Sequence, residues 1–590
     1  MIRKLAENFK FHREKWMFWM IAAAGLLLRF EYLREFSAEI HCAFAIGPDV
    51  QEYHERALEI LNGVIFPGEA EIHAPFYSFL LALTYAFSGA SVIFARFFQL
   101  VLNWGAYVAL AALIGRLSGR TRLSRIFLTL AMFTPVLFFH QAELVSESML
   151  VPLTAGCFWM LYAADKDRRW YCGAGAAAGM LILTHGLLIF FAAGEVLWFT
   201  IRKQWQKCGL FAAGIAMTVL PVIAAKSCYY GKFTGIQENS GYNLWIGNNP
   251  EATGGCYLRP GRMWQIPLNT ARAEAVERRV SENRVFLEKI VEFYLDNPVN
   301  IAVMPLKKLA LLLSPFEAVS GADPEYFIRL TPVQKYGSGM MAAVLILGAA
   351  GIFFAVKKRE KGFIHFYILA ASLAVGLLLT VVSGRYRQGM MPGVLLLAAL
   401  GAYYTGRKVW AVIVPCVLGG ALLIPPSAGG IKRNCEAASI MGEAYFRLKN
   451  YEKAEELLLI AERGIDHPER FHNMFGVIAE ARGDFDTAIV RYTSALKHVP
   501  DDADTLLNLG HMYFYHFPEK RGEALGLIKQ ALEVDETLPS AYDMLGQHQA
   551  QQGDFAGALI LFETALKYQP DSEIYQKKVN ICRQILSAKE

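Results

Sequence analysis

The stretch SGMMAAVLILGAAGIFFAV at residues 338–356 contains no charged side chain, and Lys357, Lys358 and Arg359 follow it directly. An α-helix crosses the roughly 30 Å hydrocarbon layer of a membrane with about 20 apolar residues, and Lys and Arg accumulate in cytoplasmic loops. The stretch therefore predicts a membrane-spanning helix whose carboxyl end faces the cytoplasm.

The composition of the whole chain agrees with this prediction. Hydrophobic residues make up 54% of the 590 residues and charged residues 19%, whereas soluble domains have about 45–50% and about 25%. The net charge of +5 arises from short basic clusters between apolar runs, so it does not predict a nucleic-acid-binding surface. Nine Cys residues in a chain of this length are not a disulfide scaffold. The composition excludes a soluble cytosolic or secreted enzyme.

Other apolar runs extend the prediction to an all-α, polytopic membrane domain of about eleven spans. Two further runs, 75–89 and 301–314, are predicted to be interfacial helices, because counting 75–89 as a span would invert every later loop. The predicted spans are 16–33, 91–115, 124–141, 148–163, 172–185, 187–201, 208–226, 338–356, 363–383, 389–405 and 409–425.

Basic clusters predict the orientation of these spans, since every cluster falls on one side of the membrane. With this side in the cytoplasm, the amino terminus is cytoplasmic, and the long loops 34–90 and 227–337 lie outside together with everything after residue 426. The clusters lie at 3–15, 116–125, 166–169, 202–207, 357–361 and 407–408.

The part of the chain after the last span is a repeat array. Glycines recur at intervals of 34, 34 and 36 residues, and small alanines follow each of them at two further positions. This period resembles the tetratricopeptide repeat, in which helix pairs stack and small residues stand where the helices cross. The sequence predicts a membrane domain 1–426, a linker 427–434 and a repeat domain 435–590. The repeat positions are Gly442, Gly476, Gly510, Gly546, Ala454, Ala488, Ala524, Ala558, Ala461, Ala495, Ala531 and Ala565.

Polar residues near a membrane are costly, so those in outer loops and at outer span ends are candidates for function. In the first loop, Asp49 begins a helical pattern that contains Tyr53 and His54, and Tyr77 follows later in Pro75-Phe76-Tyr77. Asp49 could instead be an ordinary helix N-cap.

Two later outer corners carry charged residues. Glu143 and Glu147 share a helix face at spacing i,i+4, as a solvated pair or, with weaker support, as metal ligands. Arg385 and Arg387 stand at the outer end of a span, against the charge rule, and guanidinium groups match phosphate oxygens. The alternative is that both arginines reach toward lipid headgroups.

The long outer loop contains a Gly-rich, aromatic segment at residues 241–250. Its aromatic rings and the amides of Asn243, Asn248 and Asn249 suit sugar binding by ring stacking and hydrogen bonding. An ordinary interfacial aromatic belt is the alternative.

Taken together, the ordered motifs resemble the integral-membrane glycosyltransferases of the GT-C fold, over about residues 16–425. The similarity is greatest to the bacterial branch related to protein O-mannosyltransferases and the aminoarabinose transferase of lipid A. The motifs that carry it are Asp49 with Tyr53 and Ala57, Pro75-Phe76-Tyr77, Ser146-Glu147, Tyr242 to Pro250, and Arg385-Tyr386-Arg387 with Pro392. Relatives often have Arg where this chain has His185, and an Asp-x-Asp pair is missing, which weakens a metal requirement.

The resemblance implies transfer of a sugar from a polyprenyl-phosphate donor to an acceptor on the extracytoplasmic face, with inversion. Asp49 is expected to be the general base, with Glu147 assisting, and Arg385 and Arg387 are expected to bind the donor phosphate. Lower-ranked substrate contacts are Tyr53, His54, Tyr77, Glu143, His185, Asn243, Asn248 and Asn249.

Several expectations about partners and location follow. No cofactor is required, and a divalent metal has weak support; the partners are the lipid-linked donor, a protein, glycan or lipid acceptor, membrane lipids and a protein on the repeats. The location is a bacterial inner membrane with the repeats outside. Cys228 and Cys256 could form a disulfide there, and free thiols are the alternative. The alternatives are a polymerase or ligase of polyprenyl-linked oligosaccharides, and a non-enzymatic transporter or assembly scaffold.

Overall fold

The computed structural model describes residues 2–39, 48–67, 73–237, 239–255, 265–315, 336–423, 438, 441–463, 469–570 and 572–588. The predicted all-α class is confirmed: within these ranges the only β pairing is an isolated bridge between Gly255 and Val382. The linker 427–434 and Cys42, Cys256 and Cys435 lie outside the described residues. The chain divides into two compact units, Met1–Tyr257 with Ile290–Pro426, and Leu258–Lys289 with Ser427–Glu590.

The helices of the chain up to residue 426 are numbered in chain order. They are α1 Ile2–Glu39, α2 Pro48–Leu61, α3 Phe76–Ser88, α4 Val92–Ser118, α5 Thr121–Phe133, α6 Val136–Ala142, α7 Leu150–Ala164, α8 Arg169–Thr184, α9 Ile189–Ile201, α10 Trp205–Tyr230, α11 Ser240–Ile246, α12 Gln265–Arg278, α13 Glu282–Asp296, α14 Asn300–Leu312, α15 Gly337–Lys357, α16 Ile364–Leu379, α17 Met391–Thr405 and α18 Trp410–Leu423.

Six helical stretches in the described residues are long and apolar enough to cross a membrane, or seven if α5 and α6 count as one broken span with a bend of 65°. The stretches are Glu14–Glu35, Val92–Ser118, Trp205–Tyr230, Gly337–Lys357, Lys361–Leu379 and Tyr386–Gly419. Three predicted spans fall on α7, α8 and α9, which have 15, 16 and 13 residues. Two more, α17 and α18, share one stretch. The number eleven stays a prediction.

Side chains from several basic loops meet at one end of the first unit. Arg120 contacts Glu360 at 2.6 Å, and the Tyr404 hydroxyl bonds to the same carboxylate. Nearby in sequence, Thr121 donates to Glu14 at 2.6 Å. Three of the segments that the charge pattern assigns to the cytoplasm therefore lie together in the fold: 3–15, 116–125 and 357–361.

The repeat array folds as predicted, into antiparallel helix pairs. Residues 441–447 are helical, and the following helices are α19 Tyr451–Glu462, α20 Glu469–Ala481, α21 Phe485–His498, α22 Ala503–His516, α23 Arg521–Val534, α24 Pro539–Gln551, α25 Phe555–Tyr568 and α26 Glu573–Ser587. Each repeat glycine faces the second helix of its pair so closely that an added Cβ would lie 2.4–2.9 Å from a side chain there. The pairs are Gly442 with Leu458, Gly476 with Tyr492, Gly510 with Ile528, and Gly546 with Phe562.

One segment of the predicted long outer loop belongs to the same unit as the repeats. Helix α12 packs on α25. Asn269 donates to the hydroxyl of Thr537 at 3.3 Å, and Lys567 pairs with Glu277 at 3.1 Å. The sequence reasoning did not anticipate this packing.

Candidate functional site

Helix α2 presents Asp49 in its first turn. Val50, Tyr53 and Ala57 recur at helical spacing and are buried in a cluster with residues of α3 and of the 144–149 corner. This packing fixes the helix, and its amino-terminal dipole favours a carboxylate at Asp49.

The corner that contains Glu147 is held by polar side chains from α4. The Gln99 amide donates to the Ser148 hydroxyl at 2.6 Å, and the Asn103 amide donates to the Ser148 carbonyl at 2.7 Å. Glu147 lies in the short 3-10 helix Ser146–Met149, and its side chain is only 3% exposed. The Ser146 hydroxyl donates to its carboxylate at 3.2 Å.

Arg385 joins these two carboxylates. Its Nη2 donates to Asp49 Oδ2, and its Nε lies 3.3 Å from Glu147 Oε1. The Arg385 side chain is 13% exposed and that of Asp49 is 23% exposed. Three residues that lie far apart in the sequence thus form one largely buried carboxylate–guanidinium–carboxylate group.

Two histidines flank this group. His73 Nε2 lies 3.9 Å from Asp49 Oδ1 and 2.9 Å from Glu52 Oε2, and its ring stacks on Tyr53 with centroids 4.8 Å apart. His185 Nε2 lies 3.7 Å from Glu147 Oε1. The predicted His185 therefore belongs to the charged group, on the Glu147 side.

The charges determine the protonation states of the two acids. Burial alone would raise the pKa of Asp49, but the charges of Arg385 and His73 and the bond from Arg385 lower it to about 2. Burial likewise opposes ionisation of Glu147, yet Arg385 and His185 hold the pKa of its carboxyl below its usual value. Both acids are ionised at neutral pH.

The pKa values of His73 and His185 are shifted in opposite directions by their surroundings. Burial lowers the pKa of His73, but the hydrogen bond that its Nε2 donates to Glu52 and the charges of Asp49 and Glu52 outweigh burial and raise it. Burial lowers the pKa of His185; the charge of Glu147 opposes this shift, and the positive charges of Arg385 and His73 add to it, so the pKa stays below its ordinary value. The lowered pKa favours the neutral form of His185, and the raised pKa favours the protonated form of His73.

Tyr53, one turn after Asp49 on α2, packs against Tyr77. Their rings meet edge to face with centroids 4.9 Å apart, and the Tyr53 hydroxyl bonds to Ser146. Burial and the charge of Glu147 raise the pKa of Tyr53 well above its ordinary value, so the phenol stays protonated. The Tyr77 hydroxyl accepts a bond from Gln99 at 3.1 Å.

Other predicted residues make contacts outside the charged group. His54 Nδ1 lies 2.7 Å from the Tyr85 hydroxyl, and Glu143 pairs with His140 at 3.1 Å. Arg387 Nη1 donates to the carbonyls of Leu312 and Ser314 at 3.3 and 2.7 Å, at the end of α14. These contacts place Arg385, rather than Arg387, between the two acids.

The asparagines of the long loop bind backbone. Asn248 donates to the carbonyl of Leu379 at 3.0 Å and accepts from Lys308 Nζ at 2.9 Å, while Asn249 donates to the carbonyls of Trp245 and Ile246. Asn243, in α11, is half-buried. Asn248 thus holds the loop against α14 and α16, and Asn249 stabilises the turn that follows α11.

Sequence reasoning missed His73, Glu52, Gln99 and Asn103. Gln99 and Asn103 are polar residues at i,i+4 in an apolar span, which marks one polar helix face. Glu52 lies one turn after Asp49, but no local pattern connects either residue to His73.

Among the described residues, no group of three or more His, Cys, Asp or Glu side chains is arranged to hold a metal ion. No protein-family model matches the chain, and no curated protein matches it. Among solved structures, the chain is similar to the crystal structure of the APC/C hetero-tetramer Cut9–Hcn1, at 12% identity over 93% of this chain and 98% of that chain. The TM-score of 0.24 is too low to indicate a shared overall fold.

Proposed function

We propose that the chain is a membrane glycosyltransferase of the GT-C type that moves a sugar from a polyprenyl-phosphate donor to an acceptor hydroxyl on the extracytoplasmic face. The observation that carries the proposal is the meeting of Asp49, Arg385 and Glu147 in one largely buried group. A base and a phosphate-binding cation side by side are what a single inverting displacement needs.

Each residue has a role in that displacement. Asp49 takes the proton of the acceptor hydroxyl as its oxygen attacks the anomeric carbon, and Arg385 stabilises the charge that develops on the departing lipid phosphate. Glu147, with His185 beside it, orients Arg385 and the acceptor. Arg387 remains the proposed second phosphate contact.

The pairing of Asp49 with Arg385 gives donor binding a second effect. A carboxyl with a pKa of about 2 is a weak base. When the donor phosphate takes over the guanidinium, Asp49 loses its main counter-charge and burial raises its pKa. Donor binding thereby turns the paired carboxylate into a stronger base next to the bond that breaks.

The experiment that tests the proposal uses the purified chain in liposomes, with synthetic undecaprenyl-phosphate hexoses and pentoses as donors. Membranes from cells that lack the gene supply the acceptor. Asp49→Asn should lower sugar transfer by at least about 100-fold. Glu55→Gln, an exposed carboxylate on the same helix, is the matched control. Transfer by Asp49→Asn at the wild-type rate would remove Asp49 from the mechanism and with it the proposal.

Contacts at the helix ends support the full set of eleven spans, because side chains in contact lie on the same side of a membrane. Three long apolar stretches separate Glu147 from Arg385, and an odd number would put these residues on opposite sides. Counting α7, α8 and α9 as crossings makes the number six. With α3 excluded as a crossing, Asp49 also lies on this side.

The same reasoning supports separate crossings by α17 and α18. Helix α12 packs on the repeat helix α25, so the loop 227–337 and the repeats share one side. An even number of crossings must therefore separate this loop from the repeats. Counting α15, α16, α17 and α18 as separate crossings gives four, whereas a single crossing for α17 and α18 gives three. With the basic clusters in the cytoplasm, both parts are extracytoplasmic.

The repeat domain is proposed to recruit a protein acceptor or an assembly partner. Stacked helix pairs form a concave surface that commonly binds peptides. Deletion of residues 435–590 should abolish transfer to the native acceptor and leave donor binding intact. Full transfer to that acceptor without the repeats would exclude the recruiting role.

A further inference from the structure

A row of charged groups leads from Asp49 to the protein surface. His73 Nε2 lies between the two carboxylates, 3.9 Å from Asp49 and 2.9 Å from Glu52. The side chain of Glu52 is 47% exposed, against 23% for His73. Tyr53 stacks on the imidazole and fixes its plane. Asp49 and Glu52 are three residues apart on α2, so both carboxylates face the same ring.

We propose that His73 is a positioning residue that orients Asp49 and carries the acceptor proton from Asp49 to Glu52. The inference rests on the proposed function. In the transfer step, the acceptor O–H gives its proton to Asp49 while its oxygen bonds to the anomeric carbon. The electron pair of the broken carbon–oxygen bond stays on the lipid phosphate. Glu52 takes the proton that His73 Nε2 already shares with it and releases that proton to water. The neutral imidazole that results has an unprotonated Nε2, which then takes the proton from Asp49.

The other groups around Asp49 are poor carriers for this proton. Arg385 stays protonated in proteins and has no acceptor atom. Glu147 is 3% exposed, and it already faces Arg385 and His185. Glu52 is the more exposed carboxylate beside His73, so the path through His73 leads outward.

The proposal predicts a pH dependence with a defined sign. The charged groups that act on His73 are Asp49, Glu52 and Arg385, and His185 lies on the far side of the group. Asp49 and Glu52 outweigh Arg385 and burial, so the pKa of His73 lies above 6.5. Because only neutral His73 can accept the proton, activity should be low at acid pH and rise as pH passes through this pKa.

The test compares sugar transfer by the wild type, His73→Gln, Glu52→Gln and the control Glu55→Gln from pH 5 to pH 9, with the synthetic donors described above. His73→Gln keeps a hydrogen-bond donor but cannot titrate. We expect its kcat to fall about 10- to 100-fold with an unchanged donor KM, and its low-pH loss of activity to disappear. Glu52→Gln should shift that loss to lower pH, since Glu52 no longer raises the pKa of His73.

The possible outcomes separate this inference from the proposed function. If the wild type and Glu55→Gln transfer no sugar, the proposed function fails. If both are active and His73→Gln matches them in kcat and pH profile, only the proton path fails. Should His73→Gln not fold, as thermal unfolding in detergent would reveal, the Glu52→Gln profile decides: an unshifted profile refutes the path.

Discussion

Removing Arg385 should destabilise the membrane unit more than removing Asp49. Arg385→Gln leaves the carboxylates of Asp49 and Glu147 close together without the cation that lies between them. Asp49→Asn leaves Arg385 with Glu147 as its partner. The effects of the two substitutions on the free energy of unfolding should therefore be strongly non-additive. Arg385→Gln removes the counter-charge of both carboxylates, whereas in the double variant only Glu147 is a carboxylate without it.

The size of the coupling follows from the pKa of Asp49, which the fold lowers from 3.8 to about 2. At about 1.36 kcal/mol per pH unit, this corresponds to roughly 2.5 kcal/mol in favour of the ionised, folded form. Burial opposes this shift; Arg385 is the largest contributor that lowers the pKa, and His73 and a backbone hydrogen bond also lower it, so we expect a coupling of about 1.5–2 kcal/mol. Breaking a buried pair by removing one partner typically costs about 3–5 kcal/mol, and Arg385→Gln should fall near the lower end.

The pH sets where this stabilisation is present. A carboxyl whose pKa is lowered by folding stabilises the fold above its unfolded pKa, and the contribution disappears as pH falls through the folded value. The stabilisation should therefore be complete at pH 7 and decline from about pH 4 toward pH 2.

The assay is reversible unfolding in mixed detergent micelles at pH 7, with the wild type, both single variants and the double variant. The exposed pair of Glu573 and Lys577 on α26 serves as control and should show no coupling. Effects of Asp49→Asn and Arg385→Gln that add within about 0.5 kcal/mol would refute the claim that Arg385 holds the two acids together.

Two further predictions concern the repeats and the topology. Gly546→Ala should destabilise the repeat unit by about 1–3 kcal/mol, because the new Cβ would lie 2.7 Å from Phe562. The control is Gly526→Ala, whose Cβ meets nothing within 4 Å and which should be neutral or stabilising. Thermal unfolding compares the two variants, and equal losses of stability would contradict the packing argument. With Cys228 as the only cysteine, a membrane-impermeant maleimide should label the exposed thiol in intact cells. A Cys introduced by Arg169→Cys into the cysteine-free chain should react only after permeabilisation; the reverse pattern would invert the orientation.

Local sequence patterns predicted the features that recur at a regular spacing along the chain. The repeat glycines could be identified without coordinates, because a 34-residue period with small residues reports helix crossings inside one repeat. Helix α3 was equally predictable as a helix. It has 13 residues and is about 20 Å long. Helix α9 has the same length, so the distribution of the basic clusters, rather than length, is the reason for excluding α3 as a crossing.

The sequence by itself determined the all-α class, the apolar helices, the repeat array and the candidate acids, because each follows from composition or from spacing within a few turns. Only the tertiary structure decided which candidates meet. It brought Arg385 rather than Arg387 between Asp49 and Glu147, added His73 and Glu52, and used Asn248 and Asn249 to hold a loop. Long-range pairings of this kind depend on how helices pack, which the linear order of residues does not encode locally.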